Sequence, residues 1–140
     1  MFKKILAPTD GSENAHKALQ YARGMLAKKI CDQVVVLHVV PKITDAKNRG
    51  TELQHRAQQL ANLEGEKVIE KARALFENMT GVEFVTRRGL PAEEIVRYAA
   101  ENGFDAIVMG RQGVSKVVEF FIGSTTNEVV RKSTVPVLTL

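Results

Sequence analysis

Between Gln33 and Val40 the chain runs Gln-Val-Val-Val-Leu-His-Val-Val, an almost unbroken β-branched and apolar stretch. A strand with one wet face alternates apolar and polar residues. A run apolar at nearly every position belongs instead to a parallel strand covered by helices on both faces. Such a strand needs helical segments on either side of it to supply the cover.

The flanking sequence supplies them. Lys3 to Pro8 is a short strand, and Asp10-Gly11-Ser12 is a turn that ends in a good helix N-cap, Ser12. Ala15, Ala18, Leu19, Ala22, Met25 and Leu26 follow at helical spacing. Pro41 to Gly50 is polar and reads as a loop. From Thr51 to about Met79, the residues Leu53, Ala57, Leu60, Ala61, Val68, Ala72, Leu75, Phe76 and Met79 line one helical face, with Gly65 as a point where the helix bends or loosens. Val82 to Arg87 is a third strand, ended by Gly89. Pro91 suits a first helical position, with Glu93 and Glu94 in the first turn and Ile95, Val96, Ala99 and Ala100 facing inward. Asn102-Gly103 is a turn, Phe104 to Met109 a fourth strand, Thr125 to Lys132 a helix and Val135 to Leu140 a fifth strand. The order β-α-β-α-β-α-β-α-β, without repeats or linkers, predicts one domain over residues 1–140: an open parallel α/β sheet with helices on both faces.

The last thirty or so residues carry a second signal. Gly110 and Gly113 are followed by Gly123-Ser124, a G-x2-G-x9-G-S spacing set between a strand and a helix. Glycine-rich strand-to-helix loops present backbone N–H groups and a positive helix end to an anion, so the spacing predicts phosphate binding, with the glycines allowing close backbone approach. The alternative is that these glycines serve only a long loop. Neither the Walker A pattern nor the dinucleotide G-x-G-x-x-G is present. In an open α/β sheet, ligands bind beyond the carboxyl ends of the strands. The segments leaving those ends are Pro8-Thr9-Asp10-Gly11-Ser12, His38-Val39-Val40-Pro41 and the Gly110 loop, and these converge on one crevice. A carboxylate at Asp10 can accept both hydroxyls of a ribose, although taken alone Asp10 is first a turn residue bonding its own backbone. Val39 and Val40 offer apolar contact and backbone groups to an adenine edge, or are plain core.

The chain resembles the universal stress protein family. The resemblance rests on Ile5-Leu-Ala-Pro-Thr-Asp-Gly-Ser12, Leu37-His38-Val39, Gly89-x-Pro91-x-x-Glu94-Ile95, Ala106-Ile-Val-Met-Gly110 and Val135-Pro136-Val137, and it covers essentially the whole length. Within that family, G-x2-G-x9-G-[ST] marks the members that bind ATP. The resemblance implies that Asp10 contacts the ribose and that Pro8, Thr9 and Val39 line the adenosine pocket. It implies that Met109, Gly110, Gly113, Gly123, Ser124 and Thr125 hold the triphosphate; whether Arg111 touches phosphate is left open by the motif. It also implies a flavodoxin-like, Rossmann-like sheet in the order 3-2-1-4-5 and a homodimer, expected through the edge strand Val135 to Leu140.

Composition narrows the remaining classes. No apolar run approaches the roughly eighteen residues of a membrane span, and the opening Met-Phe-Lys-Lys-Ile-Leu-Ala-Pro lacks a secretory h-region, so a cytoplasmic location is expected. The net charge of +4 is dispersed among nearly as many acids, which argues against a nucleic-acid surface. The single Cys31 excludes an internal disulfide and reads as a bystander. His16, His38 and His55 lack the i+3 or i+4 partner of a metal site. Mg2+ is expected only with the nucleotide, held by phosphate oxygens and water. Ser12, Ser124 and Thr125 have no paired general base, and no dedicated water-activating residue stands beside the glycine loop. The expected function is an ATP-binding regulatory or stress-response protein with no catalytic residues to name. A slow ATPase or phosphotransferase, with at most weak hydrolysis, and a dimeric scaffold with a vestigial site are the alternatives. The downstream partner is not readable.

Overall fold

A computed structural model describes residues 2–43, 51–111 and 123–140. Strand and helix alternate through it as β1 (Lys4–Pro8), α1 (Glu13–Ala27), β2 (Gln33–Pro41), α2 (Thr51–Leu75), β3 (Val82–Gly89), α3 (Pro91–Glu101), β4 (Ala106–Met109), α4 (Ser124–Lys132) and β5 (Val137–Thr139). The strands form one parallel sheet in the order β3-β2-β1-β4-β5, as the resemblance implied.

Period-two alternation divides each central strand between two cores. Ile5, Ala7, Val34 and Val36 join Ala18, Leu19 and Ala22 of α1 and Ala72 of α2 on one face. Leu6, Val35, Leu37 and Ile107 join Ala92, Ile95 and Ala99 of α3 and Val129 of α4 on the other. Every residue of β2 between Gln33 and Pro41 is buried, which is why its sequence shows no alternation. α1 begins where Ser12 Oγ accepts from the Ala15 amide at 3.1 Å. Lys29, at φ 58°, turns the chain out of α1 toward β2. Among the described residues, no helix is long and apolar enough to cross a membrane.

Several boundaries and faces differ from expectation. α2 stops at Leu75 because Asn78 adopts φ 65° and closes a turn. Leu53 and Leu60, expected inside, are 72% and 64% exposed. All of the buried residues of α2, namely Gly65, Ile69 and Ala72, lie in its second half, so the first half runs past the sheet with no core beneath it. The helix passes Gly65 without interruption. A Cβ there would stand 2.9 Å from Val40 Cγ2 and 3.2 Å from His38 Cδ2, so the glycine permits close packing on β2 instead of bending the helix. Ala100 is exposed because the buried arc of α3 centres on Ala92, Ile95 and Ala99. β5 is confined to Val137–Thr139. Pro136, lacking an N–H, precedes it and contributes only its carbonyl, which accepts from Ile107 N at 2.9 Å.

Candidate functional site

Beyond the carboxyl ends of β1, β2 and β4 lies a cavity of about 630 Å³. Its floor is made by Pro8, Leu37 and Met109; α2 contributes Ala61, Glu64 and Val68 as one wall, and α3 contributes Pro91 and Ile95. The residues that close it are held in place by short-range hydrogen bonds.

After β1 the ladder continues for one more bond, from Thr9 N to Leu37 O at 2.9 Å. Thr9 Oγ1 then accepts from Gly11 N at 3.1 Å, and Asp10 Oδ1 accepts from Ser12 N at 2.9 Å. The turn role of Asp10 is therefore realised, and it occupies one carboxylate oxygen of an exposed side chain. Gly11 sits at φ +81° with Val68 of α2 directly over it, a conformation and a space that both favour glycine.

β2 outlasts β1. Val34 N donates to Gly81 O on the β3 side. Because successive residues of a parallel strand bond to opposite neighbours, Leu37 and Val39 face β1. The β1 pairing ends at Pro8 with Leu37, and the next β1-side carbonyl, that of Thr9, bonds the buried His38 ring at 2.8 Å. The Val39 N–H and C=O thus project past the end of β1 at the cavity edge. This is a donor–acceptor pair with no β1 partner.

On the other side, Thr126 Oγ1 donates to Gly110 O at 2.7 Å inside the core. Arg111 N donates to Leu140 O at 2.8 Å, Leu140 N donates to Met109 O at 3.1 Å, and Gly123 N donates to Arg111 O at 2.6 Å. Gly123 is the N-cap of α4, and among the described residues no side chain caps that helix. Ser124 and Thr125 of its first turn line the cavity. In α1 the Ser12 hydroxyl takes the Ala15 amide, whereas among the described residues no side chain takes the first-turn N–H groups of α4, which lie at its positive dipole end.

The family model for the universal stress protein family matches residues 1–140. The chain belongs to this family. Universal stress protein MJ0577 of Methanocaldococcus jannaschii is 33% identical over 154 residues, covering 99% of this chain and 94% of that protein. Its solved structure superposes with a TM-score of 0.75 across 100% of this chain and 96% of that one. UspA from Lactobacillus plantarum shares the fold at 20% identity, with a TM-score of 0.86 and coverage of 99% and 97%. The universal stress protein from Archaeoglobus fulgidus in complex with dAMP shares it at 19% identity, with a TM-score of 0.63 and coverage of 99% and 97%.

Of the residues singled out from the sequence, Pro8, Thr9, Asp10, Val39, Met109, Gly110, Gly123, Ser124 and Thr125 all line this one cavity. Arg111 is absent from its lining; its backbone instead clamps Leu140 to Gly123. Gly113 lies outside the described residues. For Gly110 the structure supplies a different cause from close approach by phosphate. A Cβ there would stand 2.8 Å from both the carbonyl carbon and the oxygen of Asn14, so the glycine lets the β4 loop pack on the first turn of α1. The α2 and α3 walls went unread in the sequence; the one available signal was Gly65, which marks where α2 crosses β2. Cys31 is buried, and burial first, then the neighbouring Asp32 charge, pushes its thiol above the ordinary range and away from reactivity. Among the described residues, no group of three or more His, Cys, Asp or Glu is placed to hold a metal ion.

Proposed function

We propose that this protein binds ATP in the cavity and acts as a nucleotide-dependent regulatory or stress-response protein. The observation that carries the reading is the facing of two chemistries across one crevice: the Asp10 carboxylate on one side and, on the other, the N-terminus of α4, which no side chain caps among the described residues. Asp10 would accept from ribose hydroxyls, which charge-assisted hydrogen bonds favour. The free Val39 N–H and C=O would meet the adenine edge, with Pro8 and Thr9 beside it. The backbone N–H groups of Ser124 and Thr125 would hold phosphate, with Gly123, whose own N–H is taken by Arg111 O, letting the chain approach closely, together with Met109, Gly110 and Gly113. The dAMP complex of the Archaeoglobus fulgidus relative supports an adenine nucleotide as the ligand class. Mg2+ would enter with the phosphates and keep its water ligands, which suits a site where no three acidic or His ligands cluster among the described residues.

The same reading gives a cytoplasmic homodimer. β5 is the sheet edge on the β4 side, and Leu138 on it and Val130 on α4 are 40% and 45% exposed. Pairing that edge with its own copy covers both the unpaired backbone and these side chains. Light scattering at micromolar concentration checks this part, and a monomer contradicts it.

The nucleotide reading is tested by denaturing freshly purified protein, identifying any nucleotide released, and titrating the stripped protein with ATP, GTP and dATP by calorimetry. ATP is expected to bind tightest. Absence of heat with all three, on folded protein, overturns the reading.

A further inference from the structure

The first half of α2 stands over the cavity, yet among the described residues it buries none of its side chains. Across residues 51–64 every side chain is exposed or half-buried, whereas Gly65, Ile69 and Ala72 are buried. Gly65 is where the helix leaves its contact with Val40 and His38. On the cavity side this half contributes Ala61 and Glu64.

Among the described residues, what ties it to β2 is a small set of side-chain amides. Gln58 Oε1 accepts from Ile43 N at 2.9 Å, and its Nε2 donates to Pro41 O at 3.1 Å. One amide thereby bonds the C=O of one residue and the N–H of the residue two further on, the pattern that a residue of a neighbouring parallel strand would make. Gln54 Nε2 adds a bond to Ile43 O at 3.0 Å, and Asn62 Oδ1 holds the Gln58 amide at 3.1 Å. The end of β2 is thus extended by a side chain of α2. Pro41, on the strap so held, also lines the cavity, so strap and helix wall share one ligand-facing surface. Hydrogen bonds between groups within reach of water are weak on balance and open locally at low cost.

We propose that residues 51–64 form a lid over the cavity, latched to the Pro41–Ile43 strap by Gln58 and opening away from the packed half of α2 that begins at Gly65. This inference rests on the nucleotide reading of that cavity. Gln58 acts as a positioning residue, setting the wall that a bound nucleotide meets.

Hydrogen exchange on the full chain, with and without ATP, is the first test. ATP should slow exchange across residues 51–64 while leaving residues 69–75, beyond the cavity wall at Val68, unchanged. The second is release of radiolabelled ATP, chased with unlabelled ATP, from wild type, Gln58→Leu and Gln58→Glu. Gln58→Leu should release ATP roughly three- to tenfold faster with an unaltered melting temperature in the absence of nucleotide. Gln58→Glu should behave like Gln58→Leu at pH 7. As pH falls toward 4.5 it alone should slow relative to Gln58→Leu at the same pH, because a neutral carboxyl regains a donor for Pro41 O while keeping an acceptor for Ile43 N. Wild-type release rates in both variants, or ATP protection that does not reach residues 51–64, overturn the lid while the nucleotide site survives. If stripped wild type binds no ATP in calorimetry, the nucleotide reading falls and the lid with it.

Discussion

His38 Nδ1 lies 2.8 Å from the carbonyl oxygen of Thr9. A carbonyl only accepts, so this nitrogen carries the proton. By taking that carbonyl, the imidazole leaves Val39 N–H without the ladder partner that one more residue of β1 would have provided. His38→Leu should leave the Thr9 carbonyl unsatisfied, costing about 1–3 kcal/mol in a urea melt. It should also weaken ATP, because the end of β1 beside the Val39 edge is then no longer held by the imidazole. His38→Asn places an amide donor near the position of Nδ1 and should recover part of both losses. Equal stability of the Leu variant and wild type would deny the bond any structural weight.

Two helix glycines should respond with opposite signs. Gly24, within α1, has open space for 4 Å around the position an added methyl would take, so Gly24→Ala should stabilise by about 0.5–1 kcal/mol. Gly65→Ala has the same propensity gain, but its methyl would stand 2.9 Å from the stiff Val40 side chain and 3.3 Å from His38 Nε2. Overpacking of that kind costs roughly 1–3 kcal/mol, so the net effect should be destabilising. Paired thermal melts read the signs directly.

Asp10 holds a turn and faces the cavity, and the two duties separate by chemistry. Asp10→Asn retains an oxygen for Ser12 N, so stability should stay within about 0.5 kcal/mol, while the lost charge weakens ATP by roughly tenfold. Asp10→Ala forfeits both, weakening ATP by roughly 10- to 100-fold and destabilising the loop. Calorimetry showing unchanged ATP affinity in both variants would remove Asp10 from the site.

At the opposite end of the sheet, Asp105 Oδ2 accepts from Lys4 N at 2.9 Å and Lys3 N at 2.8 Å, tying the start of β1 to the entry of β4. These backbone donors, that of Lys4 foremost, hold the carboxyl below the usual aspartate range. A folded-state value below the unfolded one, about 3.9, means the stabilisation is fully present above that value and is lost as pH falls through the lowered one. Wild type should therefore melt above Asp105→Asn at pH 7, and the gap should close on acidification below about pH 4. A gap independent of pH down to about 2 would exclude the carboxylate as its source.

Much of this architecture is local chemistry. The unbroken Val34 to Val40 run, the Ser12 cap and Pro91 at a helix start are each set by neighbours a few residues away, and each appears in the structure where the sequence put it. Leu53 and Leu60 misled because periodicity shows that a helix has an apolar face, not whether a sheet lies beneath it. That depends on how far α2 overshoots β2. The loop side of the cavity was legible from glycine spacing and from where parallel strands end. Its helical walls were not, because Ala61, Val68 and Ile95 are chemically ordinary and acquire meaning only through placement. Gly110 shows the limit of spacing from the other direction, since the packing that excludes a side chain there comes from Asn14, nearly a hundred positions earlier.

The ladder from Met109 through Leu140 and Arg111 to Gly123 runs between the outer strand of the sheet and the first turn of α4. A body docked along β5 and a ligand seated at α4 would therefore meet opposite ends of one short backbone truss. Free energies of binding are reciprocal, so whatever factor the ligand imposes on docking, docking imposes on the ligand. Were the proposed dimer and the proposed nucleotide both in place, assembly and occupancy would form a single equilibrium, one in which protein concentration itself tunes how readily the crevice fills.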